Sequence, residues 1–196
     1  GEIVLASRAL FTGEPTINRL LFNRGIEAGP DRALDVWLGC LEAGDCIDAV
    51  VASNLAQSAA LWHLRESIPL AQSEEGLNVK HDIALPVSAV PEFVAATDAA
   101  LLAALPGARL VNFGHLGDGN LHYNVQAPPG DTAAEFLQRN EAAINTLVYD
   151  AVQLRGGSFS AEHGIGRLKV HDLAERKSPV AVDLMRRLKR AWDPHG

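Results

Sequence analysis

The sequence predicts an α+β fold in which an antiparallel sheet is covered by helices. The clearest strands, ARLVNFGH and LHYNVQA, follow each other closely and are joined by a short turn, so they form a hairpin, which is antiparallel. A long helix over about residues 133 to 154 follows the hairpin. Its apolar positions recur at helical spacing: Phe136, Ile144, Leu147, Val148 and Ala151.

The elements before the hairpin are predicted from their caps and breakers. A helix begins near Asp31 and ends at Gly44, and the strand CIDAVVA follows it. A second helix, LAQSAALWHLRESI, is capped by Ser53 or Asn54 and must stop before Pro69. The strand VKHDIALPV and the helix EFVAATDAALLAAL lead to the hairpin, and a last helix begins after the long one, at Ser178-Pro179.

The composition indicates a soluble globular protein. The 196 residues carry a net charge of −7, with 47% hydrophobic and 21% charged residues. A nucleic-acid-binding protein is more often basic, so we expect no nucleic acid as a partner. No run of 18 apolar residues and no secretory signal is found, so neither a transmembrane helix nor export is expected. Two cysteines, Cys40 and Cys46, fit two small buried residues and a cytoplasmic location better than a disulfide scaffold.

The stretch GHLGDGNLH, residues 114–122, predicts a metal site on the hairpin. Asp118-Gly119 is a favoured pair for a two-residue type I′ turn, which would place His115 directly opposite His122. Opposed Cβ atoms lie about 4.5–5.5 Å apart, close enough for both imidazoles to bind one metal ion. The alternative is two histidines packed on a half-buried sheet.

A second stretch, GGSFSAEHGIGRLK at residues 156–169, supplies candidates for a third ligand. Its glycines allow the backbone to approach a ligand closely. Glu162 and His163 are adjacent, so on an extended segment their side chains point in opposite directions. One of them could bind metal while the other does acid–base work, and a flexible loop is the alternative. Upstream, Arg65 and Lys80 could hold a carboxylate together, or each could be a solvated charge.

Four stretches resemble the C-terminal domain of the FAD-linked oxidases: GHLGDGNLHYNV, GGSFSAEHGIGRLK, LWHLRESIP and VKHDIALPVSAVPEFV. This branch of the vanillyl-alcohol-oxidase-like flavoproteins holds D-lactate dehydrogenase, D-2-hydroxyglutarate dehydrogenase and the glycolate oxidase D subunit. The match covers about residues 31 to 194. It implies a ferredoxin-like cap domain at 31–196, preceded by a poorly matched segment at 1–30. An FAD-binding domain and an Asn-Pro-Gly-Lys tail of the family are absent, which predicts a fragment of a longer flavoenzyme.

The resemblance also implies roles for individual residues. By motif, the ligands of zinc or another divalent metal such as manganese, iron or cobalt are His115, His122 and Glu162, and the proton-abstracting base is His163. The substrate-binding residues are Arg65 and Lys80, for the carboxylate, and Asn124. Where the hydroxyglutarate enzymes have a Thr, this chain has Pro69. That difference favours lactate or another small D-2-hydroxy acid over a dicarboxylic substrate.

The predicted function is therefore that of the substrate- and metal-binding domain of an FAD-dependent dehydrogenase, which oxidises a D-2-hydroxy acid to the 2-keto acid. Its partners would be the small hydroxy acid and the FAD-binding domain of the same full-length protein. The alternatives are a stand-alone metal-dependent hydrolase and a catalytically silent docking domain. By itself the chain is expected neither to hold FAD tightly nor to turn over substrate, and its exposed apolar surface could support a homodimer. An electron acceptor could also bring the enzyme to the periphery of the inner membrane.

Overall fold

The computed structural model describes residues 5–7, 42 and 49–195. The chain divides into two compact units, Gly1–Gly76 and Leu77–Gly196. The cysteine pair Cys40 and Cys46, and most of the segment 1–30, lie outside the described residues, so the predictions for them stay predictions.

In the first unit, two short strands pair antiparallel and two helices follow. The strands are β1, Leu5–Ser7, and β2, Ala49–Val51, and the helices are α1, Leu55–Glu66, and α2, Ile68–Glu74. Asn54 caps α1, because its side chain accepts a hydrogen bond from the backbone N–H of Gln57 at 2.9 Å. The sequence did not predict α2, in which Pro69 occupies the first turn, where a missing N–H has no cost.

The second unit contains a three-stranded antiparallel sheet in the order β3-β5-β4. Its strands are β3, Asn78–Ala84; β4, Arg109–His115; and β5, Asn120–Gln126. Its helices are α3, Val90–Ala104; α4, Ala133–Leu154; α5, Val170–Arg176; and α6, Pro179–Trp192. The α+β prediction is confirmed, and α4 has the predicted bounds. The short helix α5 was not predicted.

One face of this sheet forms the core of the second unit with α3 and α4. Side chains of alternate strand positions point to this face, because successive residues of a strand point to opposite sides. The sheet contributes Val79, Ile83, Tyr123 and Val125, and the helices contribute Phe93, Leu101, Ile144 and Val148. The helix α4 packs against β3, and α3 packs against α4. The opposite face of the sheet therefore carries the other polar residues of β3 and β5, apart from His81 and Tyr123.

The core also holds a histidine, His81, which is 1% exposed. Its ring nitrogens lie 2.7 Å from the carbonyl oxygen of Tyr123 and 2.8 Å from Oδ1 of Asn145. Burial lowers the pKa of His81 to about 4, so its ring is neutral at pH 7. His81 is thus a structural residue of the core, while its neighbours Lys80 and Asp82 belong to the polar face.

The stretch Val87–Ala104, which includes α3, is long and apolar enough to cross a membrane by length and composition alone. Such a stretch is weak support for a membrane span, because core helices satisfy the same criteria. Phe93, Val94 and Leu101 of α3 are buried in the core of the second unit. These positions recur at helical spacing, as the inward face of a core helix does.

The register of the hairpin differs from the prediction. His115 pairs with Asn120, and His122 pairs with Phe113 instead of with His115. The reason is the turn: a 3-10 segment over Leu116–Asp118, followed by Gly119, joins the strands with four residues instead of two. The pairing is therefore shifted by two residues, and a shift of two keeps every side chain on its face. His115 and His122 still share a face, as diagonal neighbours.

Gly119 is required by the turn, and its replacement is expected to destabilise the second unit. Its φ is +74°, and a Cβ there would lie 1.8 Å from the carbonyl oxygen of Leu85. Gly119→Ala should lower the free energy of unfolding by more than about 2 kcal/mol, as measured by urea denaturation. The control is Gly130→Ala, which has a φ of +93° but nothing within 4 Å of the added Cβ, and should cost about 1 kcal/mol. Equal losses in the two variants would contradict this account.

Candidate active site

The polar face of the sheet brings together residues from all three strands. In the register of β3 and β5, Asp82 is opposite His122 and Lys80 is opposite Asn124. Directly opposed residues share a face, so these four side chains lie on the same side of the sheet. His115 joins them from β4, because it is two residues along from Phe113, the partner of His122.

Three side chains form a cluster that can hold a metal ion. His115, His122 and Glu162 each offer one ligand atom, and these atoms all lie within 4.8 Å of one another. His115 Nε2 is 3.7 Å from Glu162 Oε1, and His122 Nε2 is 3.8 Å from Glu162 Oε2. Two imidazoles and one carboxylate are a donor set of catalytic zinc sites, which keep further positions open. The donor set therefore fits a divalent transition metal.

Glu162 reaches the sheet because the glycine-rich loop is anchored to the edge of β3. The backbones of Ala84 and Ser158 exchange two hydrogen bonds, at 2.7 and 2.9 Å. Gly157 permits this close approach, since a Cβ there would lie 2.5 Å from the carbonyl oxygen of Ala84. At the far end of the loop, the Lys169 ammonium donates a hydrogen bond to the carbonyl of Phe159 at 2.9 Å. These hydrogen bonds thus give the loop a defined conformation next to the sheet.

Asp82 connects this loop to the sheet, a role that the sequence did not predict. Its Oδ2 accepts backbone N–H groups of Ala161, Glu162 and His163, at 3.3, 2.8 and 2.9 Å. Its Oδ1 accepts the amide N–H of Asn120 at 2.9 Å. Burial raises the pKa of Asp82, but the hydrogen bonds from His163, Glu162 and Asn120 outweigh burial and bring the pKa below its ordinary value. Asp82 is therefore a carboxylate at pH 7.

The electrostatics of the cluster favour a neutral imidazole at His122. Burial lowers the pKa of His122 below its ordinary value, and His163 and His115 act in the same direction. The carboxylates of Asp82 and Glu162 act against this shift. A neutral imidazole has a lone pair for a metal, whereas an imidazolium has none.

The remaining predicted residues occupy different surroundings. The rings of His163 and His122 have centroids 6.0 Å apart, and His163 is exposed. Lys80 is also exposed, whereas Asn124 is 4% exposed. Arg65 lies on α1 in the first unit, where it is half-buried. The second unit thus brings six of the seven predicted site residues together with Asp82 on one sheet face and its bordering loop.

The geometry allows a defined set of chemical tasks. The three-donor cluster could bind a metal ion, and the adjacent imidazole of His163 could accept a proton. The ammonium of Lys80 could pair with an anionic group, and the buried amide of Asn124 offers both a donor and an acceptor. An anionic substrate that binds a metal through an oxygen and loses a proton suits this combination.

Comparison with known proteins shows the family to which the chain belongs. The family model described as FAD linked oxidases, C-terminal domain, matches residues 22–196. A D-2-hydroxyglutarate dehydrogenase of Xanthomonas citri pv. viticola is 40% identical over 174 residues, which cover 89% of this chain and 36% of that protein. One of Stutzerimonas stutzeri is 36% identical over 177 residues, covering 90% of this chain and 38% of that protein. The mitochondrial D-2-hydroxyglutarate dehydrogenase of Rattus norvegicus is 38% identical over 179 residues, covering 90% and 32%.

The chain therefore spans about a third of the length of the curated relatives it matches. The family match, residues 22–196, includes the part of the chain in which the motifs resemble the family, about residues 31 to 194.

Proposed function

Because the chain belongs to the family of FAD-linked oxidase C-terminal domains, we propose that it is the substrate- and metal-binding part of an FAD-dependent dehydrogenase. The enzyme would oxidise a D-2-hydroxy acid to the 2-keto acid. The observation that carries the proposal is the cluster of His115, His122 and Glu162, on the sheet face that also presents Lys80 and Asn124.

The proposed metal, with zinc as the first choice, would be held by His115, His122 and Glu162. When bound, it would supply Lewis-acid stabilisation of the negative charge on the substrate's α-oxygen. The side chains of His115 and Glu162 are 56% and 47% exposed, so the cluster is open to an incoming ion and substrate.

The other residues would bind the substrate and move its proton. His163 would accept the proton of the α-hydroxyl group at a ring nitrogen, as a general base. Lys80 would pair with the substrate carboxylate and fix the direction of the α-hydrogen, and Asn124 would donate or accept a hydrogen bond. The role of Arg65, which lies in the first unit, stays a prediction.

The oxidation balances with one hydride and one proton. The α-carbon loses a hydride, the α-oxygen loses its proton to His163, and the carbonyl group of the keto acid forms. When bound, FAD would supply the two-electron acceptor chemistry that this oxidation needs, and it would be held by a part of the full-length enzyme outside this chain.

The names of the relatives support a D-2-hydroxy acid as the substrate class, and two observations bear on the size of that acid. The three relatives compared are named D-2-hydroxyglutarate dehydrogenases, which favours a dicarboxylic acid. Pro69 has no side-chain hydrogen-bonding group, which favours a small monocarboxylic acid such as lactate. We therefore propose a D-2-hydroxy acid as the substrate class, and the flavin-reduction experiment below distinguishes an acid with a second carboxylate from one without.

The proposal is tested with the full-length enzyme loaded with FAD under anaerobic conditions. D-2-hydroxyglutarate, D-lactate and L-lactate are mixed with it in turn, and the loss of oxidised-flavin absorbance is followed. At least one D-acid should reduce the flavin and yield the keto acid, whereas L-lactate should not. Flavin that stays oxidised with every D-2-hydroxy acid, or hydrolysis of an ester or amide without flavin, would overturn the proposal in favour of another activity.

A further inference from the structure

We infer that Asp82 is a positioning residue. It holds His122, a proposed metal ligand on the sheet, and the loop that carries Glu162 and His163 in fixed positions relative to each other. Asp82 is 5% exposed. The inference rests on the proposed function, since it concerns the same site.

On the loop side, Asp82 fixes the backbone that carries two proposed functional residues. Its Oδ2 lies 2.8 Å from the nitrogen of Glu162 and 2.9 Å from that of His163. Consecutive N–H groups that converge on one anion form a backbone nest. Adjacent residues project their side chains in different directions. Because Asp82 holds the N–H groups of both residues, the Glu162 carboxylate points to His115 and His122, and the His163 side chain lies beside this cluster.

On the sheet side, Asp82 lies beside the Nδ1 edge of the His122 ring, and the opposite edge, which carries Nε2, faces the cluster. Asp82 Oδ1 is 3.8 Å from Nδ1 of His122, whereas Nε2 of the same ring is 3.8 Å from Oε2 of Glu162. A carboxylate near Nδ1 favours the proton on that nitrogen, which leaves the lone pair on Nε2, toward the cluster. Carboxylates placed in this way orient metal-binding histidines and strengthen them as ligands.

Asn120 makes Asp82→Asn a sharp test. In the wild type, the Asn120 amide donates to Asp82, and its own Oδ1 is buried without a hydrogen-bond partner among the described residues. If the side-chain amide of Asn120 rotates so that its oxygen and nitrogen exchange places, that oxygen can accept the new amide N–H of Asp82→Asn. The oxygen of the variant can still accept the loop N–H groups. Asp82→Asn therefore removes the charge near His122 while the hydrogen bonds of the loop can persist.

The experiment compares the wild-type 196-residue chain with Asp82→Asn and with the control Asp98→Asn. Asp98 is also a hydrogen-bonded carboxylate, which accepts from Tyr123 Oη at 2.6 Å and from Asn112 at 3.3 Å. It lies on α3, away from the cluster, so loss of its charge should lower the stability of the protein but leave zinc binding unchanged. Zinc affinity is measured by competition with a chromophoric chelator. The tautomer of His122 is measured in metal-free protein from imidazole ¹⁵N shifts at alkaline pH.

Asp82→Asn should weaken zinc binding by about 10- to 100-fold, the usual effect of removing such a partner. It should also move part of the His122 population to the Nε2-protonated tautomer, while Asp98→Asn changes neither. Zinc affinity within about threefold of the wild type, with an unchanged tautomer, would overturn the inference and leave the proposed function standing. If the wild type itself binds no zinc, the proposed metal site fails, and an unchanged tautomer in Asp82→Asn would separately overturn the role of Asp82.

Discussion

His163→Gln in the full-length enzyme should lower kcat by about 10²- to 10⁴-fold, the usual contribution of a general base. Gln keeps the size and polarity of the side chain but cannot accept the α-hydroxyl proton. The ring of His163 is 6.0 Å from that of His122, and His163 lies outside the three-donor cluster. Metal content should therefore stay at the wild-type level, so the loss separates proton transfer from metal binding.

The matched control for this variant is His171→Gln. His171 is exposed on α5, where its Nδ1 lies 3.5 Å from Glu175, and its loss should leave kcat unchanged. The measurement is steady-state turnover of the FAD-loaded enzyme with its best D-2-hydroxy acid. If His163→Gln keeps kcat within about tenfold of the wild type, another group must accept the proton.

Glu162→Gln should weaken metal binding by more than about 100-fold, because it removes the one anionic donor of the cluster. This is a larger change than the loss of a residue that only orients a ligand. The neutral amide that replaces the carboxylate has a similar shape, so the loop should keep its hydrogen bonds to Asp82. Turnover should fall along with metal occupancy and recover in part when excess metal is added. Metal affinity is measured by isothermal titration, and turnover by flavin reduction.

The control for this second variant is Glu141→Gln, which changes an exposed carboxylate on α4 outside the cluster. It should bind metal and turn over substrate as the wild type does. A Glu162→Gln variant that keeps wild-type metal affinity would show that Glu162 is no ligand.

The longer helices α1, α3, α4 and α6 and the sheet class were predictable because their signals are local, whereas the seven-residue helices α2 and α5 were not predicted. The apolar positions of α4 recur at helical spacing, so both of its ends were predicted, at Ala133 and Leu154. The hairpin was predicted from its two strand patterns and turn residues. Its register was not, because a turn of four residues uses the same Asp118-Gly119 pair as the predicted turn of two. The prediction that His115 and His122 share a face was still correct, because a register shift of two residues leaves each side chain on its original face.

The role of Asp82 was not predictable, because its hydrogen bonds join residues 80 and 81 positions apart in the chain. Sequence patterns indicate the local periodicity of apolar residues and the caps of helices. They carry little information about which distant loop packs against a given strand. One signal was available: Asp is depleted in strands, and Asp82 lies directly between His81 and Ile83 in one. An acidic residue inside a buried strand needs partners, and in this site the partners are the loop N–H groups and Asn120.

The most direct test of the metal site is elemental analysis of the purified 196-residue chain beside His122→Ala, with His171→Ala as the histidine control. The chains are first treated with a chelator, then exposed to zinc and desalted. About one equivalent of zinc in the wild type and in His171→Ala, and none in His122→Ala, is the result expected from the three-donor cluster. Equal zinc in all three, or none in the wild type, would contradict a metal site at His115, His122 and Glu162.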